Sequence, residues 1–195
     1  RTHALGQSDP MRDRAGRLWV GADHGLSRRE QGRFVTCVEA EAFRDAHITK
    51  ILELPDGSLF VATDQGIFRR QEGAFREIPV PKASWPTRHS LLGVDPAGAL
   101  WASHRADLYA LKDGQLVWQA KFPEEIQSLF VDAAGMLWCG LGQAGLFTAR
   151  QDSPGDFSKI QEMKTDSFCE TRNGDLWMGT SQGAVRSRRG ECLQI

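Results

Sequence analysis

Short apolar runs separated by turn residues recur along the whole chain, and residues 48–78 show the plan most clearly. Ile48-Thr49-Lys50-Ile51-Leu52-Glu53-Leu54 has the composition of a strand. Pro55-Asp56-Gly57-Ser58 follows as a tight turn, with Asp-Gly expected to supply the positive φ angles of a hairpin. Leu59-Phe60-Val61-Ala62-Thr63 is a second strand, Asp64-Gln65-Gly66 a second turn, and Ile67-Phe68-Arg69-Arg70 a third strand. Glu72-Gly73 turns the chain into Ala74-Phe75-Arg76-Glu77-Ile78. Four strands joined by three short turns predict an antiparallel meander.

The plan repeats five times. Turn glycines stand at Gly16, Gly57, Gly98, Gly135 and Gly174, and an aromatic follows each three residues later: Trp19, Phe60, Trp101, Trp138 and Trp177. The spacings are 41, 41, 37 and 39 residues. A period near 40 with one aromatic per unit marks a β-propeller, whose blades are four-stranded meanders. The fold expected is therefore all-β, a propeller of four-stranded antiparallel blades. Approximate blade limits are 1–38, 39–79, 80–120, 121–160 and 161–195.

Second strands such as Leu18-Trp19-Val20-Gly21-Ala22 are apolar on both faces, as sheets stacked between neighbours require. Two residues beyond each aromatic stands Gly21, Ala62, Ser103, Gly140 or Gly179, small enough to let another blade approach. The five repeat aromatics are thus expected to be structural. A glycine follows the second strand at Gly25, Gly66, Gly145 and Gly183, and Asp107 takes that place in the third unit. In the first unit only His3-Ala4-Leu5-Gly6-Gln7 offers an inner strand, and it is weak.

The bulk numbers bound the partners. Hydrophobic residues make up 41% of 195, and 24 basic against 25 acidic residues leave a net charge of −1. Nothing in that balance predicts nucleic acid or a membrane surface as partner. No apolar run approaches the roughly 18 residues of a membrane span, and no signal-peptide pattern is visible. The chain begins at Arg1, which suggests an excised piece. Cys37, Cys139, Cys169 and Cys192 form no C-x-x-C pair, so no zinc site or other metal is expected. Cys139 and Cys169 are expected as small core residues and Cys37 and Cys192 on outer strands; their disulfide state stays open.

In a propeller the loops between strands two and three open on the same face as the links between blades, and ligands usually sit there. That singles out Asp23 and His24, Asp64, His104 and Arg105, and Gln143. The link Pro79 to His89 contains three prolines and a tryptophan off the repeat register; Trp85 with Arg88 and His89 suits stacking on a sugar or docking on a protein. Packing between blades is the alternative for Trp85, as a degenerate blade is for His104-Arg105. No nucleophile elbow, phosphate loop or zinc-protease motif is present, so catalysis finds no support and no cofactor is expected.

The pattern D-x-x-G-x-L-W-x-G-T-x-x-G-L resembles the two-component regulator propeller repeat. It reads here as Arg172-Asn173-Gly174-Asp175-Leu176-Trp177-Met178-Gly179-Thr180-Ser181-Gln182-Gly183, and nearly as well at 132–146 and 56–67. The resemblance implies a bacterial, usually periplasmic, sensor region that precedes a membrane span and a histidine kinase or diguanylate cyclase. Such rings are commonly seven-bladed, and some recognise oligosaccharides. Five units fit either a five-bladed ring or part of a larger one. The function implied is non-catalytic sensing of an oligosaccharide or other small ligand, with other receptor domains or a second copy as protein partners. A lyase of the virginiamycin B type, using His24 or His104, and a purely protein-docking propeller are the alternatives.

Overall fold

The computed structural model describes residues 10–22, 25–79, 90–95, 97–188 and 191–194. Among them, five four-stranded antiparallel sheets are formed, each with its strands side by side in chain order. The first contains β1 (Met11–Arg12), β2 (Leu18–Ala22), β3 (Gly25–Glu30) and β4 (Arg33–Thr36). The second contains β5 (Ile48–Glu53), β6 (Leu59–Thr63), β7 (Ile67–Gln71) and β8 (Ala74–Glu77). The third contains β9 (Ser90–Val94), β10 (Leu100–His104), β11 (Asp107–Lys112) and β12 (Gln115–Lys121). The fourth contains β13 (Ile126–Val131), β14 (Met136–Leu141), β15 (Gly145–Arg150) and β16 (Ser153–Gln161). The fifth contains β17 (Thr165–Glu170), β18 (Leu176–Thr180), β19 (Gly183–Arg188) and β20 (Glu191–Gln194). This is the all-β propeller expected from the repeats. Two compact units divide the chain, Arg1–Leu92 with Leu111–Val117, and Gly93–Ala110 with Trp118–Ile195.

Turn chemistry fixes the hairpins. Between third and fourth strands, Gln31 and Gly32 have φ of 46° and 83°, Glu72 and Gly73 49° and 84°, and Asp113 and Gly114 50° and 77°. Two successive positive angles give the turn whose twist matches the strands it joins. The turn after β5 works differently from expectation. Gly57 alone is positive, at 83°, while Asp56 accepts the amide of Ser58 at 2.8 Å. In the third blade Asp107 occupies the glycine's sequence place, but Arg105 carries the positive φ, 52°. A two-residue loop of Arg105 and Ala106 leaves Asp107 paired opposite His104 in the ladder.

Each unit has its own core. In the first, Trp19 and Leu26 pack with Phe43, Ile48, Ile51 and Val61. The link between the first and second blades forms a short 3-10 segment, Val38–Phe43. Its Phe43 ring lies 4.6 Å from Phe68 and 5.2 Å from Phe75, so this link closes the core and is not an open ligand loop. In the second unit, Trp138 of β14 packs on Leu176 and Met178 of β18 and on Val185 of β19. Gly140 explains why a small residue is needed nearby: a Cβ there would collide with Ser128 Oγ and the Thr165 carbonyl. Ser128 Oγ itself donates to that carbonyl at 2.5 Å, joining β13 to β17.

Three expectations change. The inner strand of the first blade is Met11–Arg12; residues 3–7 lie outside those described. Cys37 is not on an outer strand but precedes the 3-10 segment and is buried, because the chain turns inward after Thr36. Cys169 is exposed and not a core residue: its strand is mostly polar, and it pairs opposite Trp177 on the face of the fifth sheet turned away from the Trp138 cluster. Both are free thiols, as is buried Cys139.

Candidate ligand-binding end of the blades

In the second to fifth blades the turn after the second strand is tied to an adjoining link by hydrogen bonds. Asp64 N–H donates to the His47 carbonyl at 3.0 Å, and Asp64 Oδ1 accepts the His47 amide at 2.9 Å. In the fourth blade Glu124 Oε2 accepts the amides of Gln143 and Ala144, each at 3.0 Å. In the fifth the Ser181 amide donates to Lys164 O at 3.1 Å. The third blade is tied to the link that follows it: Phe122 and Ile126 donate to the carbonyls of Ala106 and Arg105, each at 2.8 Å. Turns and links therefore share one end of each of these four blades, and that end is braced.

The residues singled out from sequence separate on this frame. Asp64 is partly buried and holds the His47 amide. Gln143 is exposed, with its amide bound to Glu124. His104 is buried at the end of β10, which leaves it poorly placed to meet a ligand directly. Arg105, next to it, is exposed at the tip of the two-residue loop. His104, Arg105 and Gln143 are brought to the blade ends of one unit; Asp64 belongs to the other. Asp23, His24, Trp85, Arg88 and His89 lie outside the described residues. The repeat aromatics Trp19, Phe60, Trp101 and Trp138 are buried, whereas Trp177 is only partly covered.

One residue was overlooked. Trp118 on β12 is 49% exposed, and its indole N–H donates to Asp107 Oδ1 at 2.9 Å. Asp107 is two residues from Arg105, so an oriented, wet aromatic face stands at the same hairpin as an exposed guanidinium. The signal was in the sequence, since Trp118 is off the aromatic register just as Trp85 is. Strand-like neighbours Leu116 and Val117 concealed it, because only alternation decides which of a run faces outward.

Glu124 is engaged by two backbone amides and Asp64 by another. Among the described residues no three His, Cys, Asp or Glu side chains are grouped to hold a metal. Nor is any helix of the described residues long and apolar enough to cross a membrane.

The architecture defines the class as a β-propeller, and comparison with known proteins narrows it. The family model described as two component regulator propeller matches residues 161–182, so the chain carries that repeat across the start of its fifth blade. No curated protein matches the chain in sequence. The extracellular domain designated as that of a hybrid two-component system from B. thetaiotaomicron is similar with a TM-score of 0.77 and 18% identity, covering 98% of this chain and 27% of that one. Virginiamycin B lyase from Staphylococcus aureus is similar with a TM-score of 0.75 and 14% identity, covering 98% of this chain and 70% of that one. A gluconolactonase from Xanthomonas campestris gives 0.64 and 14%, covering 90% and 69%. At these identities the likeness is one of fold. The chain spans 27–30% of the length of the two-component extracellular domains it matches.

Proposed function

We propose that this chain is part of the ligand-binding propeller of a bacterial signalling receptor, placed in the periplasm or otherwise outside the cytoplasm. The repeat at 161–182 and the likeness to extracellular domains of two-component systems support the signalling role and the placement. The observation that carries ligand binding is the Trp118–Asp107 pair beside Arg105. A fixed ring with one open face stacks on a sugar ring, and a neighbouring guanidinium donates to its hydroxyl or acidic groups.

Binding here is without turnover. Buried His104 has no open face for acid–base work on a ligand, and Glu124 and Asp64 serve the backbone. A signal then requires that the ligand bind one arrangement of the receptor better than another. The test is titration of the protein with a panel of oligosaccharides, followed by tryptophan fluorescence and by chromatography of the recovered ligand. Binding that Trp118→Ala and Arg105→Ala each weaken, with ligand returned intact, supports the reading. Conversion of a ligand would establish the lyase alternative, and binding unaffected by both variants would remove this surface.

A further inference from the structure

The second blade has a pocket on its flank, completed by Leu111 and Gly114 of the hairpin that also carries Trp118. It has a volume of about 230 Å³ and is lined by Arg69, Arg76, Ile78, Pro79, Leu111 and Gly114. We infer that this pocket binds a compact organic anion, one carboxylate on a body the size of a single sugar ring, between the opposed guanidinium groups of Arg69 and Arg76.

The two arginines face each other directly in the β7–β8 ladder. Like charges so placed repel, and an anion between them reverses the sign of that interaction. Arg69 is held only along one edge. Its Nη2 donates to Ser58 Oγ at 2.8 Å, and its guanidinium lies 5.7 Å from the Phe60 ring. The Asp56 carboxylate is 3.9 Å away and 61% exposed, a weak neutralising partner in water. A further donor, Arg69 Nε–H, is buried with no acceptor. A buried donor without a partner is costly and seldom left so. The Arg76 side chain has no hydrogen-bond or ion-pair partner among the described residues.

Glu77 also touches the pocket, but its carboxylate lies against Gly66, and alternation turns it to the other face of the sheet from Arg76. The charge facing the cavity is therefore positive. Ile78, Pro79 and Leu111 make the rest of the wall apolar, which suits the carbon body of an organic acid better than a bare inorganic ion. Guanidinium forks match carboxylate geometry. The volume is below the range of roughly 300–1,000 Å³ that houses drug-sized ligands, so one ring fills it.

The experiment is calorimetric titration with D-glucuronate, with D-glucose and inorganic sulfate as the other arms, on the full chain and on Arg76→Gln, Arg69→Gln and Trp118→Ala. Arg76 is exposed, so Arg76→Gln keeps the fold even if Arg69→Gln does not; thermal melts check both. Expected are glucuronate binding, none by glucose, a loss of about tenfold or more in Arg76→Gln, and no change in Trp118→Ala. No glucuronate binding, or binding that survives Arg76→Gln, overturns the site. Sulfate binding alone overturns the assignment to an organic acid. A loss confined to Trp118→Ala moves the ligand to the proposed sensing surface and removes this pocket.

Discussion

The indole N–H of Trp138 donates to Asp132 Oδ2 at 2.8 Å, while Oδ1 of the same carboxylate accepts the amides of Ala134 and Met136 at 2.9 Å. One aspartate thus closes its turn and holds the aromatic of its own repeat. Asp13 does this for Trp19 at 2.8 Å, and Asp95 for Trp101 at 3.4 Å. The second repeat has Phe60, which has no N–H, and at the aspartate's place it has buried Leu54. In these four repeats the two positions change together because a buried indole donor needs an acceptor and a phenyl ring does not; the fifth has Thr171 at the aspartate's place, and its Trp177 is only partly covered.

Asp132→Leu alone should therefore cost about 1–3 kcal/mol by stranding the buried indole donor. Adding Trp138→Phe should cost less than the sum of the single changes, since it recreates the Leu54–Phe60 pair. Urea melts of the four proteins in a double-mutant cycle measure this; strict additivity would show that the pair is not coupled.

Gly145 and Gly183 occupy the same place in successive repeats but different surroundings. Both have positive φ, 93° and 111°. A Cβ at Gly145 would overlap the Gln161 carbonyl oxygen and lie 3.0 Å from Glu162 Cα, while a Cβ at Gly183 meets open space. Gly183→Ala should lose only the backbone term, about 1–2 kcal/mol. Gly145→Ala should lose more and lower the melting temperature further, because β16 must shift. Equal effects would mean that the backbone angle alone selects glycine.

Stability should fall in acid. Burial of Asp13 pushes its carboxyl pKa up, but the hydrogen bonds from Trp19 and Arg17 and the Arg17 charge outweigh it, and the net pKa is below the ordinary 3.8. Asp56 is likewise lowered, first by the Ser58 amide. A carboxyl with a depressed folded pKa stabilises fully above its unfolded value and loses that contribution as pH falls through the folded one. Melts between pH 6 and about pH 2 should show the loss beginning near the ordinary carboxylate value. Asp13→Asn should flatten the curve there, and an unchanged slope would rule out a role for this residue.

The thiols should separate by reactivity. Burial pushes Cys37 up to about 11 and Cys139 higher still, so neither is a thiolate at neutral pH. Cys169 is exposed and free. Brief iodoacetamide treatment of native protein, followed by peptide mass mapping, should mark Cys169 and spare Cys37 and Cys139. Labelling of Cys139 at a similar rate would mean that β14 opens readily.

Much of the fold was legible because each blade is a local device. Turn glycines, the aromatic three residues later and apolar second strands are read one repeat at a time. The glycine-bearing turn between third and fourth strands of the second blade fell where Glu72-Gly73 had placed it. Less of the candidate site was legible. Arg105 stood out by breaking the pattern, but the exposure of Trp118 and the facing of Arg69 by Arg76 depend on register, which residue composition does not reveal.

The interblade ties show the same limit more sharply. Glu53 Oε2 accepts the Arg14 amide at 2.7 Å and Glu170 Oε2 the Ala133 amide at 2.9 Å, each from a turn one repeat earlier. The turn residue after Leu54 is Pro55, which has no amide to offer, and only the second and fifth repeats have glutamate at this place, where the others have Arg12, Val94 and Val131. Such a pairing is plain once two sheets are side by side and invisible along a single strand. The sequence by itself determined the repeat, the hairpins and the all-β class, because these follow from periods of two and about 40 residues and from turn chemistry. Tertiary structure alone decided which carboxylates serve the backbone, which thiols are covered, and which tryptophan and arginines meet solvent. Those outcomes depend on neighbours some 40 residues away, whose distance in space is set by how the sheets pack and not by the order of the chain.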